Sequence, residues 1–348
     1  MTSFLKYAAN FGRVVDIETF VEKVPQTQIN SAFACAEPKL RKFIESFVDL
    51  EGIRIQLSFV ENDQINARAV RCPNGEYGII IFMGYVYFLA GVIARSIDAK
   101  MLDLNLTGRP TPLHRILDLP EYMNVDAELE GDHWAVSAFD DDKGQFYPVF
   151  ETALYWLVGH ELTHILHGHH DERIRARLHV IEATDLLKES ITYSKAMEID
   201  ADCGAASVVF MLYVLHKNGH EPDGKLSLYI VTLASLIALT VLLIGNGGND
   251  KEVLTHPTNR LRRELLSMNI VLCAKSFEWS TDDDFRPMKI AEHDNFSTFM
   301  AGLGLGFKKA APNWATKIDD SNFLEINTLV DELDVLIGAR RRFPKPHY

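Results

Sequence analysis

The stretch Leu226–Ile244 sets the tightest limit on how this chain folds, because it runs for nineteen residues without a charge. A helix apolar on every side must be covered, either by a protein core or by lipid. At ~1.5 Å per residue it would reach roughly 28 Å, barely the thickness of a bilayer core. Ser227, Thr232, Ser235 and Thr240 interrupt it, and Gly245, Gly247 and Gly248 end it. No tryptophan flanks it, and Lys225 and Lys251 lie on either side, so no orientation signal emerges. The run also lies between two segments that supply one site, as developed below. The reading adopted is a buried core helix, with a transmembrane or membrane-associated helix as the alternative.

A chain of 348 residues, 47% hydrophobic and 24% charged, can bury such a helix as a soluble globular protein does. The net charge of −13 argues against a nucleic-acid partner, which would call for a basic face. The acidic runs Asp140–Asp142 and Asp282–Asp284 read as solvated loops. Four cysteines, Cys35, Cys72, Cys203 and Cys273, form no CxxC pair, which fits free thiols in a reducing compartment. Met1–Phe20 lacks the apolar core of a signal peptide, so a cytoplasmic location is expected.

Along the chain, residues 1–35 carry weak signals and read as a loosely attached arm. Leu40, Phe43, Ile44 and Phe47 share one face of a helix over Glu37–Leu50. Ile53, Ile55, Leu57 and Phe59 alternate with polar residues as a half-buried strand does. Pro73-Asn74-Gly75 is a turn, Tyr77–Phe82 a short strand, and Tyr85–Ile97 a buried helix. Residues 98–147, rich in Asp, Pro and Gly, read as a long loop that could wall a cleft. Pro148 opens a helix to about His169, a second helix covers Thr192–Leu215, and a fourth starts at Thr255-His256-Pro257, with Leu261, Leu265 and Leu266 inward. Two more helices are expected near Lys289–Lys308 and Asn322–Arg340, the latter with an Asn322/Glu325 capping pair. The expected fold is α+β and predominantly helical, with a small sheet N-terminal to the 148–169 helix. The division expected is an arm over 1–35, a sheet, helix and loop over 36–147, a helical core over 148–275 and a C-terminal helical segment over 276–348.

The core helix carries His160-Glu161-Leu162-Thr163-His164. On a helix the two histidines stand one turn apart on one face, and Glu161 roughly 100° further round. Imidazoles so spaced can share one Zn²⁺, with the carboxylate placed to take a proton from a water beside the ion. Two residues compete as third ligand. Glu198, in Glu198-Ile199-Asp200-Ala201-Asp202, lies one turn from Asp202, which could then orient a ligand histidine from behind. Cys203, Gly204, Ala205 and Ala206 would let that helix approach closely. His170 has the spacing of a HExxHxxGxxH site, but His167 stands where that pattern needs glycine, and Gly168 is one residue off. Glu198 is preferred; His167, His169 and His170 then read as solvent-facing residues at the helix end, with a second, adventitious metal site as the alternative.

Taken together, His160–His164, Glu198–Asp202 and Thr255-His256-Pro257 with Arg262 resemble the three-part signature of M48-type gluzincin peptidases. The order and the apolar helix between the last two parts are most similar to the soluble, Lit-like phage-exclusion branch (peptidase family U49). The resemblance covers roughly residues 150–270. It implies a zincin-like fold, with zinc on His160, His164 and Glu198 and with Glu161 as catalytic base. It further implies His256 close to the metal as an oxyanion donor, and Arg262 as a structural anchor. The expected function is a zinc-dependent metalloendopeptidase acting on a protein or peptide, with phage defence as the role the resemblance suggests. The alternatives are a zinc-stabilised sensor or binding module without catalysis, and a membrane-associated M48 peptidase.

Overall fold

The computed structural model describes residues 3–16, 28–51, 53–98, 146–169, 185–216 and 224–245, together with Arg262, Leu265, Leu266, Asn269, Ile270 and Cys273 of a later helical segment. The elements are α1 (Ser3–Ala8), β1 (Arg13–Val14), α2 (Gln28–Glu51), β2 (Ile55–Glu61), β3 (Ala67–Arg71), β4 (Tyr77–Phe82), α3 (Met83–Asp98), α4 (Phe146–Leu166), α5 (Asp185–His216) and α6 (Gly224–Gly245). The fold is α+β, mostly helical among the described residues, with one small sheet preceding α4.

The sheet order is β1-β2-β4-β3. β3 and β4 form an antiparallel hairpin, with Ala69 opposite Ile79. Its turn is the expected one: Gly75 adopts φ 85°, and its N–H donates to the Cys72 carbonyl at 2.9 Å. β4 then inserts beside β2 in parallel register, Leu57 against Ile79, which leaves β3 at one edge.

Within the arm expected over 1–35, residues 3–16 are docked rather than loose. Phe4 and Ala8 of α1 are fully buried, in a cluster with Val60, Val70, Ile80 and Phe82 on one face of the sheet. The Phe4 ring lies where Gly78 has no side chain; a Cβ there would stand 1.9 Å from it. Two large apolar residues and a matching glycine are enough to dock a short helix, a signal too sparse to read as periodicity. α2 likewise begins well before Glu37 and passes through Pro38, because Phe33 and Ala36 in its first turns are buried. Strand β3, a five-residue Ala-Arg-Ala-Val-Arg segment, has little strand propensity of its own and is fixed by pairing with β4.

α4 runs through the middle of the molecule, against α5, α6, α3 and α2 and under β3 and β4. From Ala153 to Leu166 every residue of it is buried. α6 is the apolar run. Each of its described side chains, Ile230 to Leu243, is buried, and Tyr85 of α3 donates its hydroxyl to the Ala238 carbonyl at 2.8 Å. Protein covers this helix through α4, α3 and α5. Among the described residues no helix is long and apolar enough to cross a membrane. Leu265 and Leu266 are buried as expected for the segment after Pro257. The 99–145 part of the expected loop, Leu261, and the helices expected after residue 273 lie outside the described residues.

Candidate metal centre

Two helices bring the site together. α4 carries His160, Glu161 and His164, and α5 carries Glu198, Asp200 and Asp202. They cross closely because small residues meet at the crossing. A Cβ added to Gly159 would stand 3.2 Å from the Ala205 Cα, and one added to Gly204 would stand 2.4 Å from the Thr163 hydroxyl. That hydroxyl is itself committed, donating to the Gly159 carbonyl at 2.8 Å.

Three side chains converge from the two helices. The Nε2 atoms of His160 and His164 are 3.3 Å apart. Glu198 places Oε2 at 3.6 Å from the first and Oε1 at 3.7 Å from the second. Those ring–carboxylate distances are too long for hydrogen bonds. They are close to the ~3.4 Å that separates donors held tetrahedrally at ~2.0–2.1 Å from one ion. Charge agrees with size. The buried carboxylates Glu161, Glu198 and Asp202 face one buried guanidinium, Arg262. With neutral imidazoles two negative charges remain uncompensated in this set, which a divalent cation would cancel. The residues present therefore fit a metal ion, and all three donors are buried.

A second layer holds His160. Its Nδ1 lies 3.0 Å from Asp202 Oδ1. Arg262 grips the same carboxylate with two bonds, Nε donating to Oδ2 at 2.6 Å and an Nη to Oδ1 at 2.8 Å. That Nη also lies 3.5 Å from Glu198 Oε2. The Trp156 ring stacks on His160, with centroids 5.5 Å apart. Burial alone would disfavour a charge on His160, but Asp202 and Glu198 outweigh it and raise its pKa to about 9. Glu198 is also buried, yet His160, His164 and Arg262 keep it well below the usual carboxylate range. Burial pushes the neighbouring Cys203 thiol up to about 12.

Glu161 points towards the sheet. Its Oε2 accepts the backbone N–H of Ala69 at 2.5 Å, on the outer side of edge strand β3. Strand β3 thus fixes the carboxylate that the sequence singles out as base, a partner that no motif announces.

Contrary to expectation, His167 and His169 are not solvent-facing. Gly168 adopts φ 75° and its N–H donates to the Ile165 carbonyl at 3.1 Å, ending α4 in a left-handed cap. The chain turns inward there, His169 is fully buried and His167 is largely so. His169 Nδ1 meets His164 Nδ1 at 2.8 Å, and its Nε2 meets Asp200 Oδ2 at 3.2 Å. His167 Nδ1 bonds the same Asp200 oxygen. Burial would raise the Asp200 pKa, but these two histidines hold it well below the usual range. The sequence did carry a hint, a glycine one residue before His169 and an aspartate inside the glutamate motif. His170 and His256 lie outside the described residues.

No family model matches the chain, and no curated protein or solved structure is found to match it.

Proposed function

We propose that this chain is a zinc-dependent metalloendopeptidase of the gluzincin type, with a zincin-like core. The observation that carries the reading is the convergence of His160, His164 and Glu198 to 3.3–3.7 Å, one residue along the helix from Glu161. A zinc ion held there would polarise a water molecule and a scissile carbonyl. Glu161 would serve as the base that accepts a proton from the attacking water and returns it to the leaving amine. The Ala69 N–H holds the carboxylate in one orientation while it does so. A buried site keeps both transfers away from bulk water, where the charges would be screened. The position of Glu161 on the outer side of β3 supports an extended peptide as substrate, because such a chain adds naturally along a strand edge. His256 is proposed as oxyanion donor, on the strength of the resemblance to M48-type and Lit-like peptidases. A phage-defence role rests on the same resemblance.

The test is N-terminal proteomics on cells expressing wild type or Glu161→Gln, paired with zinc analysis of both purified proteins. The variant should keep its zinc and lose about 10²–10⁴-fold in cleavage rate. Equal cleavage by the two proteins would remove Glu161 from the mechanism. A wild-type protein that takes up no zinc would favour a different reading, in which His160 is a cation locked between Asp202 and Glu198.

A further inference from the structure

We infer that His169, anchored by Asp200, is the positioning residue for His164: it fixes which ring nitrogen of His164 faces the metal, and the His167–His169–Asp200 group is a hydrogen-bonded relay rather than a second metal site. The inference rests on the metal-centre part of the reading above.

The argument is a count of protons. A neutral imidazole carries one N–H. His164 turns Nε2 towards His160 and Glu198, so a metal there requires Nε2 bare and the proton on Nδ1. That proton points at His169 Nδ1, 2.8 Å away, which must therefore accept. The proton of His169 then sits on Nε2, which faces Asp200 Oδ2 at 3.2 Å, an acceptor. His167 Nδ1 donates to the same oxygen. Every ring nitrogen in the chain from His164 to Asp200 has one fitting role, and the chain closes on a buried carboxylate.

A metal at the second group breaks this count. His167, His169 and Asp200 do offer donor atoms within 4.8 Å of one another. But an ion on His169 Nε2 would force its proton onto Nδ1. Two N–H groups would then face each other across 2.8 Å, unless one ring lost both protons. The two groups are thus exclusive as metal sites, and filling the first assigns the second to hydrogen bonding. The device that makes this possible is the Gly168 cap. It reverses the chain within one residue and returns His169 to the back of a ligand five positions earlier.

The two ligand histidines are therefore held by different means. His160 leans on Asp202, a carboxylate clamped by Arg262. His164 leans on a second imidazole, with the carboxylate one ring further away.

The experiment titrates zinc against a chromophoric chelator in wild type, His169→Leu, His169→Asn and His160→Ala. It is joined to ¹⁵N-histidine NMR of the zinc-loaded wild type. Wild type should bind one zinc. His169→Leu should bind it about 10–100-fold more weakly, the usual cost of losing a partner behind a ligand histidine. His169→Asn keeps an acceptor near the Nδ1 position and should recover part of that loss. A role in folding alone would predict no such recovery. The spectra should show His164 protonated at Nδ1 and His169 at Nε2. Undiminished zinc affinity in His169→Leu, a His169 proton on Nδ1, or a second zinc bound by wild type and lost in an added His167→Ala titration would each overturn the inference. The underlying metal reading fails separately, through a His160→Ala protein that binds zinc as wild type does. A wild type that binds none overturns both. Should the leucine variant not fold, the asparagine variant and the spectra decide alone.

Discussion

Helices α4 and α5, with the turn that ends α4, build two groups of the same composition, two histidines and one carboxylate each, joined by the 2.8 Å contact of His164 with His169. In the first, the rings of His160 and His164 stand 3.6 and 3.7 Å from Glu198, beyond hydrogen bonding. In the second, His167 and His169 bond Asp200 directly. Residue type therefore does not distinguish a metal centre from a polar network. Spacing to the carboxylate does: imidazoles that stop short of it leave room for an ion, whereas imidazoles that touch it have already satisfied it. The first group also has support behind both rings, whereas the second is itself part of that support.

The largest separation between the groups should come from their carboxylates. Glu198→Ala is expected to abolish zinc binding, whereas Asp200→Ala should retain stoichiometric zinc with affinity lowered about 10–100-fold. Metal analysis after dialysis reads both. Full zinc in Glu198→Ala would return the third-ligand role to another residue, such as His170. Next, Arg262→Met leaves Asp202 buried without its cation, and urea unfolding should register a loss of about 3–5 kcal/mol. A loss under 1 kcal/mol would show that water reaches Asp202 and that the clamp is dispensable. Gly204→Ala drives a methyl into Thr163 and should cost about 1–3 kcal/mol by overpacking, with zinc affinity falling in parallel. Unchanged affinity would uncouple the helix crossing from the metal. Smallest is Gly168→Ala, where open space surrounds the missing Cβ and only the left-handed backbone penalises it, by ~1 kcal/mol. It should weaken zinc binding through His169, and a neutral result would place the cap outside that linkage.

Much of the first group was legible in the chain, because both of its halves obey helix periodicity. His160 and His164 are four apart, as are Glu198 and Asp202, and the small residues from Cys203 to Ala206 announce a close crossing. The apolar run was legible for the same reason. Strand β4, its turn and helix α3 were visible from composition. What escaped depends on partners distant in sequence. Nothing in Ala67–Arg71 says strand until β4 lies beside it, and nothing near Glu161 names Ala69 as its donor. Phe4 signals docking only when Gly78 is seen across the sheet. His169 departs from the solvent-facing reading because the chain does not continue outward past the end of α4. A single glycine with positive φ reversed that direction.

The glycine-to-threonine approach at the α4–α5 crossing has a consequence for which ion the protein can prefer. The gap between the imidazoles and Glu198 is set by how far apart two backbones stop, and that stop is made by absent side chains at Gly159 and Gly204. It works as a fixed gauge. A methyl group at either glycine would widen the gauge without altering a single ligand. The pocket would then drift from the radius of a small tetrahedral cation towards that of larger ions with more coordinating oxygens. For an ion bound as proposed, the choice of metal would be written partly in residues that never touch it.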